Sequence, residues 1–410
     1  MNVIAVSKSK MAAWCSVIHK SVYFNSPNLE LMKRILFLLI LIIELTPAAR
    51  AQTNWIPNFI KKMYLNKDTA RRSSFIIVPV FSSAPETGLE VGATGLYSFY
   101  ADTDRKHTRI SNVFAYASHT TKNQTNLTLN GTYWAPQNRY HITASISYLD
   151  FPVSFFGIGN NTRNADQERI SQKRVKASLE AEKRISDYFY VGLVGGAYYY
   201  HFYSNNINGL LYTDPQVQYR SGGPSLYLGP SAIFDTRNNN SYTTRGMIIN
   251  TYYNQIQGVF SNSNYQGGFF NFEYSGFFSL ASSLVLGVDV QEQSLLGGQS
   301  PFYLMPALGN DAMMRGYYNG RFRDRNMLAG QAELRYRLSK RLAVVGFAGT
   351  GEVAHDSFSI PALKPDYGGG LRYFFDVAKG LTIRADYGVG QKLPNEPRQS
   401  GFYIALGEAF

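Results

Sequence analysis

Charges recur at every second position of Gln331-Ala-Glu-Leu-Arg-Tyr-Arg-Leu338, so an extended chain there puts Gln331, Glu333, Arg335 and Arg337 on one face and Ala332, Leu334, Tyr336 and Leu338 on the other. The segment 381–388 repeats the split: Thr382, Arg384 and Asp386 oppose Ile383, Ala385 and Tyr387. The charged face cannot meet lipid, where an Arg or Lys at mid-depth costs about 2–4 kcal/mol. The apolar face needs an apolar contact. Both demands are met when strands close into a transmembrane barrel, apolar side to lipid and polar side to a lumen, with no backbone group left unpaired.

Period-two alternation and turn signals mark sixteen strand segments: 74–82, 89–102, 108–119, 124–134, 139–150, 169–184, 188–203, 222–236, 243–259, 263–280, 283–296, 326–338, 341–353, 367–375, 380–390 and 401–410. The fold expected is therefore all-β, a transmembrane antiparallel barrel of about sixteen strands. An even count returns both ends to the periplasmic side. Tight links such as Ser339-Lys340 and Ala378-Lys379 then fall where periplasmic turns are due, and the long segments 151–168, 204–221 and 297–325 where external loops are due. Composition agrees: 30 Tyr, 27 Phe and 36 Gly suit interfacial girdles and strand turns, and mean hydropathy is below zero, too polar for helical spans.

The last residues, Phe402 to Phe410, alternate up to a terminal aromatic, which reads as a strand that closes the barrel against the first strand; the ending resembles that of outer-membrane barrels, and the resemblance implies that Phe410 serves as an assembly signal. At the other end Lys33-Arg34, the apolar run 35–43, Pro47 and Ala49-Arg50-Ala51 read as a secretion signal cleaved before Gln52. The run is too short for a membrane helix, which needs about 20 apolar residues. The organisation expected is 1–31 as an upstream extension from a misplaced start, 32–51 as the signal, 52–73 as a short periplasmic tail and 74–410 as the barrel. Cleavage removes Cys15, the one cysteine, and a cysteine-free exported chain suits an oxidising periplasm. The place expected is the outer membrane of a Gram-negative bacterium. Of the net charge of +12, residues 1–51 carry +4, which leaves +8 on the mature chain; this excess is read either as solvated loops and turns or as a basic surface with anionic lipid headgroups and lipopolysaccharide as partners.

Catalytic chemistry finds no footing. The six histidines stand singly, without the spacing of a metal site. Gly368-Gly-Gly370 opens a strand rather than a phosphate-binding helix, and no nucleophile elbow is present. A non-enzymatic, monomeric barrel without cofactor, metal or nucleic acid is expected.

Several motifs stand in a recognisable order. Met314-Arg315-Gly316-Tyr317 lies in the long link before the twelfth strand, followed by Glu333, by Gly346-Phe-Ala-Gly-Thr-Gly-Glu-Val353 and by Gly368-Gly-Gly-Leu-Arg-Tyr373. Upstream, Phe234-Asp-Thr-Arg-Asn238 and Thr244-Arg-Gly246 flank a turn, with Asp235, Arg237 and Gly246 as its marked residues, and Phe155-Phe-Gly-Ile-Gly-Asn160 adds a further match. The order resembles the BamA/TamA outer-membrane assembly superfamily, the bacterial surface antigens. The resemblance implies that the loop folds inward, with Arg315 at its tip held by Glu333, Gly316 allowing a sharp turn and Tyr317 beside them. The family's Asp two residues after the strand-thirteen Phe is replaced here by Gly349, so Glu352 or Asp386 is the expected substitute. It also implies insertion or translocation of macromolecules at the outer membrane, through a weak seam between first and last strands where Gly401 and Gly407 loosen pairing. Unfolded barrel proteins would be the clients, and a separate periplasmic partner would replace the polypeptide-transport-associated domains that 52–73 is too short to form. The alternative is a passive pore or structural barrel.

Overall fold

The computed structural model describes residues 73–84, 88–102, 108–259 and 264–410. The expected extension, signal and nearly all of the periplasmic tail lie outside the described residues.

Sixteen strands form one antiparallel sheet in chain order: Ser74–Ala84 (β1), Gly88–Phe99 (β2), Ser111–Thr120 (β3), Thr125–Trp134 (β4), Tyr140–Phe155 (β5), Glu168–Arg184 (β6), Phe189–Tyr203 (β7), Gly222–Asp235 (β8), Gly246–Gly258 (β9), Gln266–Ala281 (β10), Leu284–Gly297 (β11), Asn326–Arg337 (β12), Leu342–Ala354 (β13), Lys364–Asp376 (β14), Leu381–Gly390 (β15) and Ser400–Leu406 (β16). The architecture is a membrane barrel. Inner positions carry the buried charges Glu333, Arg335, Arg372, Arg384 and Asp386, while their neighbours Leu334, Leu371 and Tyr387 face outward. Leu371 and Ile404 are 61% and 66% exposed, a surface tolerable only against lipid.

Strands β5, β6 and β7 run 16, 17 and 15 residues, beyond the roughly 9–11 that a spanning strand needs. Their external ends enclose an aromatic core: Phe155 and Phe202 pack on Phe302 at ring distances of 5.3 and 4.8 Å, with Leu211 and Val217 beside them. The external links 156–167, 298–325 and 391–399 are tied together by Arg321, whose Nη1 donates to Thr162 Oγ1 at 2.6 Å and whose Nη2 reaches Glu396 at 3.1 Å.

Two expectations change at the carboxyl end. The last strand stops at Leu406, not Phe410: Gly407 takes φ +89° and the chain leaves the sheet. Phe402 stays on the strand, exposed, but Phe410 turns inward to stack on Phe277 at 5.8 Å. Glu408 follows it, accepting from Thr382 Oγ1 at 2.8 Å. Strand β14 starts at Lys364, three residues before the expected boundary, because Pro365 sits in the strand instead of ending it. Among the described residues β16 pairs with β15 over seven positions, the shortest barrel ladder, and β1 and β16 stand at the two ends of the strand order.

Candidate functional site in the barrel lumen

The link between β11 and β12 is pinched at its base by a two-residue ladder, Ala307–Leu308 on Phe322–Arg323, so its middle travels as a closed loop. Asn310 shapes the tip: its Oδ1 accepts from the Ala312 and Met313 amides, each at 2.7 Å. The sharp turn falls on Met314, at φ +55°. Gly316 does not make it, contrary to the sequence reading. Its function is close approach. A Cβ there would lie 2.3 Å from the Gly390 nitrogen, and one on Gly388 would lie 2.6 Å from the Arg315 carbonyl carbon. The tip lies main chain against main chain on β15, which only glycines on both sides permit.

That seat drives Arg315 fully inside. Its Nη2 donates to Glu333 Oε2 at 2.8 Å and to Gln331 Oε1 at 3.2 Å, and its Nη1 donates to Asp386 Oδ2 at 2.8 Å. The guanidinium lies 3.4 Å above the Phe347 ring centre. Phe347 faces Glu333 across the β12–β13 ladder. The fork therefore does not grip one carboxylate with both arms; it divides between two. Tyr317 is buried and donates its hydroxyl to the Pro365 carbonyl at 2.7 Å, while the Gln391 amide donates to that hydroxyl at 2.9 Å.

Neither carboxylate belongs to Arg315 alone. Arg335 Nε reaches Glu333 Oε1 at 2.8 Å; Arg372 Nη1 reaches Asp386 Oδ1 at 2.5 Å. Arg372 Nε reaches Glu408 at 2.7 Å, and Arg384 joins Asp386 at 3.1 Å to Asp311 at 2.6 Å. Arginines and carboxylates alternate from loop tip through three strands to the tail after β16. Burying charge is costly unless each group is paired and hydrogen-bonded; here every guanidinium has a carboxylate partner, while Arg315 Nε, Arg335 Nη1 and Arg384 Nε make no hydrogen bond among the described residues.

Of the two substitutes expected for the missing strand-thirteen Asp, Asp386 contacts Arg315 and Glu352 does not; Glu352 accepts from the Ser359 amide instead. Sequence reasoning missed Asp366. It sits opposite Gly349 in the β13–β14 ladder, its Oδ2 accepts from the Gly316 amide at 3.3 Å, and a Cβ at 349 would come within 2.7 Å of its Oδ1. Gly349 is thus the space that Asp366 fills. Arg372 and Glu408 were missed as network members too, though Arg372 lies at the inward alternation the pattern predicts.

The turn motif forms a second cluster. Asp235 accepts from Arg237 Nη2 at 2.8 Å and from Arg109 Nη1 at 2.5 Å, and Arg109 lies 5.0 Å over the Trp134 ring. Gly246 holds φ +95°, and a Cβ there would lie 2.3 Å from the Thr236 carbonyl oxygen.

A model of the Omp85 superfamily domain matches residues 108–410. Among solved structures, the chain is similar to BamA from Haemophilus ducreyi lacking POTRA domains 1–3, at 14% identity and TM-score 0.51 over 82% of this chain and 70% of that one. It is also similar to CdiB from Acinetobacter baumannii, at 13% identity and TM-score 0.52 over 83% and 60% of the two chains, and to CdiB from Escherichia coli, at 12% and 0.51 over 83% and 63%. No curated protein sequence matches the chain.

Proposed function

The chain belongs to the Omp85 superfamily, and from that premise we propose that it inserts or translocates polypeptides at the outer membrane, as a non-enzymatic barrel whose last strand offers an edge to the client. The observation that carries the reading is the shared network. Arg372 connects the tail of β16, through Glu408, to Asp386 and Glu333, the carboxylates that hold the tip of the inward loop. A barrel that only needs to be a pore has no use for a link between its final strand and a loop seated from the far side. A barrel that opens at β16 does, because the loop then stabilises the closed state. The seven-pair ladder of β16 supports the same reading, since a short edge strand is the one most readily exchanged for an incoming strand. Arg315, Gly316, Tyr317 and Glu333 serve as the loop seat, and Asp235, Arg237 and Gly246 brace the periplasmic turn. Lipid and lipopolysaccharide contact the outer face, and a separate periplasmic protein delivers clients. A photo-cross-linking residue at Ile404, on β16, should capture unfolded barrel clients during assembly; the same probe at Leu226, on β8, should not. Equal capture at both positions, or at neither, contradicts the reading.

A further inference from the structure

We propose that the β8–β9 turn, residues 236–245, is a strap that gates the periplasmic mouth of the lumen, with Tyr242 as its latch. A hairpin on this side needs only about 2–5 residues, and the β10–β11 and β14–β15 links, 282–283 and 377–380, stay within that range. The β8–β9 turn, at ten residues, is long enough to cross the mouth. In the strand order the β8–β9 link lies six strands from the β2–β3 link and six from the β14–β15 link. Yet all three meet. Asn240 Nδ2 donates to the Ile110 carbonyl at 3.0 Å, the Tyr242 ring packs on Phe374 at 4.9 Å, and a Cβ on Gly380 would lie 2.9 Å from that of Tyr242. Arg109, Asn240 and Lys379, one from each link, line a single hollow of about 260 Å³. Strands spaced about 4.8 Å apart and tilted about 40° give a sixteen-strand barrel about 30 Å across. Half of the turn, at about 3.3 Å per residue, reaches roughly 16 Å, to the axis.

The strap is braced within itself and held at its far end by little. Asn239 Oδ1 accepts from the Ser241 amide at 2.6 Å and the Tyr242 amide at 3.0 Å, and Thr243 Oγ1 donates to the Asn239 carbonyl at 2.7 Å, so the segment moves as one piece. Its grip on the opposite wall is the buried Tyr242 ring in a socket of Ala343 and Phe374, with the Arg337 guanidinium 5.4 Å over the ring. On the lumen side Arg335 lies 5.9 Å over the same ring and also pairs with Glu333. One arginine thus separates the latch from the network that seats Arg315.

The test is independent of what the barrel transports. Ser275, buried on the lumen face of β10, is replaced by Cys with Cys15→Ser in the same chain, and the folded barrel in detergent is labelled with a bulky maleimide. Tyr242→Ala should raise the labelling rate at least tenfold, as should replacement of residues 239–243 by Asn-Gly. Tyr242→Phe, which keeps the ring, should label at the parent rate. If Tyr242→Ala fails to reach the heat-modifiable folded form, the shortened turn decides alone. Parent rates in the folded variants overturn the proposal, as does acceleration by Tyr242→Phe equal to that of the alanine variant.

Discussion

Replacing Arg315 by alanine removes two charge-assisted hydrogen bonds to carboxylates, to Glu333 and Asp386, and the cation above Phe347. At about 1.5–3 kcal/mol for each such bond the gross loss is about 3–6 kcal/mol. The sequence alone suggests that Glu333 is then left bare, the case that costs most. The structure removes that contribution: Glu333 keeps Arg335 at 2.8 Å and Asp386 keeps Arg372 at 2.5 Å. A net loosening of about 3 kcal/mol follows, which at about 1.36 kcal/mol per decade raises the open-loop population roughly a hundredfold. Trypsin cleavage after Arg321 or Arg323 in the folded barrel reports that population when closing outpaces cleavage. The barrel itself should stay intact, because no strand ladder depends on the loop. Arg315→Lys should fall between, since one ammonium cannot span two carboxylates with a planar fork. Exchange of charges, Arg315→Glu with Glu333→Arg, should not rescue, because a guanidinium in place of the Glu333 carboxylate would face Arg335 and Arg372. Cleavage within about twofold of wild type in Arg315→Ala, or full rescue by the exchange, refutes the reasoning.

Gly316→Ala should expose the loop to trypsin as strongly as Arg315→Ala, because its Cβ has no room against β15; wild-type resistance would show that the seat yields. Gly246→Ala meets both a positive φ and the Thr236 carbonyl, and should destabilise the barrel by about 2 kcal/mol or more, read as a lower urea midpoint. Deleting Phe410 removes its stacking on Phe277 and the bond from Arg335 Nη2 to its main-chain oxygen, 3.0 Å long, and should lower the heat-modifiable folded fraction. Glu408→Gln breaks the Arg372 pair but leaves the tail's size unchanged, so it should speed client capture at Ile404 without altering the folded fraction.

Period-two alternation was enough to place all sixteen strands, because each membrane strand carries its own lipid face and its own lumen face. It failed where a residue conflicts with local habit. Pro365 reads as a break yet lies in β14, and that misplaced boundary hid Asp366. Gly407 reads as one more alternating position, but its positive φ, invisible in a pattern of polar and apolar letters, turns Glu408 and Phe410 into the lumen. The Arg315–Glu333 pair could be anticipated from the motif order. The division of the fork between Glu333 and Asp386 could not, since it depends on β12 and β15, three places apart in the sheet, both presenting carboxylates to the loop tip. The crossing of the mouth by residues 236–245 was equally hidden, for Tyr242 meets Phe374 across strands six places apart in the sheet.

The central claim is that this barrel handles polypeptides, with the loop seat and the last strand working as one device. Its most direct measurement is the rate at which an unfolded outer-membrane barrel client folds into liposomes that contain the purified protein, followed by heat-modifiable gel mobility. Client folding should be faster than in empty liposomes, at a rate that shifts in Arg315→Ala and Glu408→Gln while both variants remain folded. Client folding no faster than in empty liposomes, together with steady ion conductance in planar bilayers, would contradict the claim and leave a passive pore.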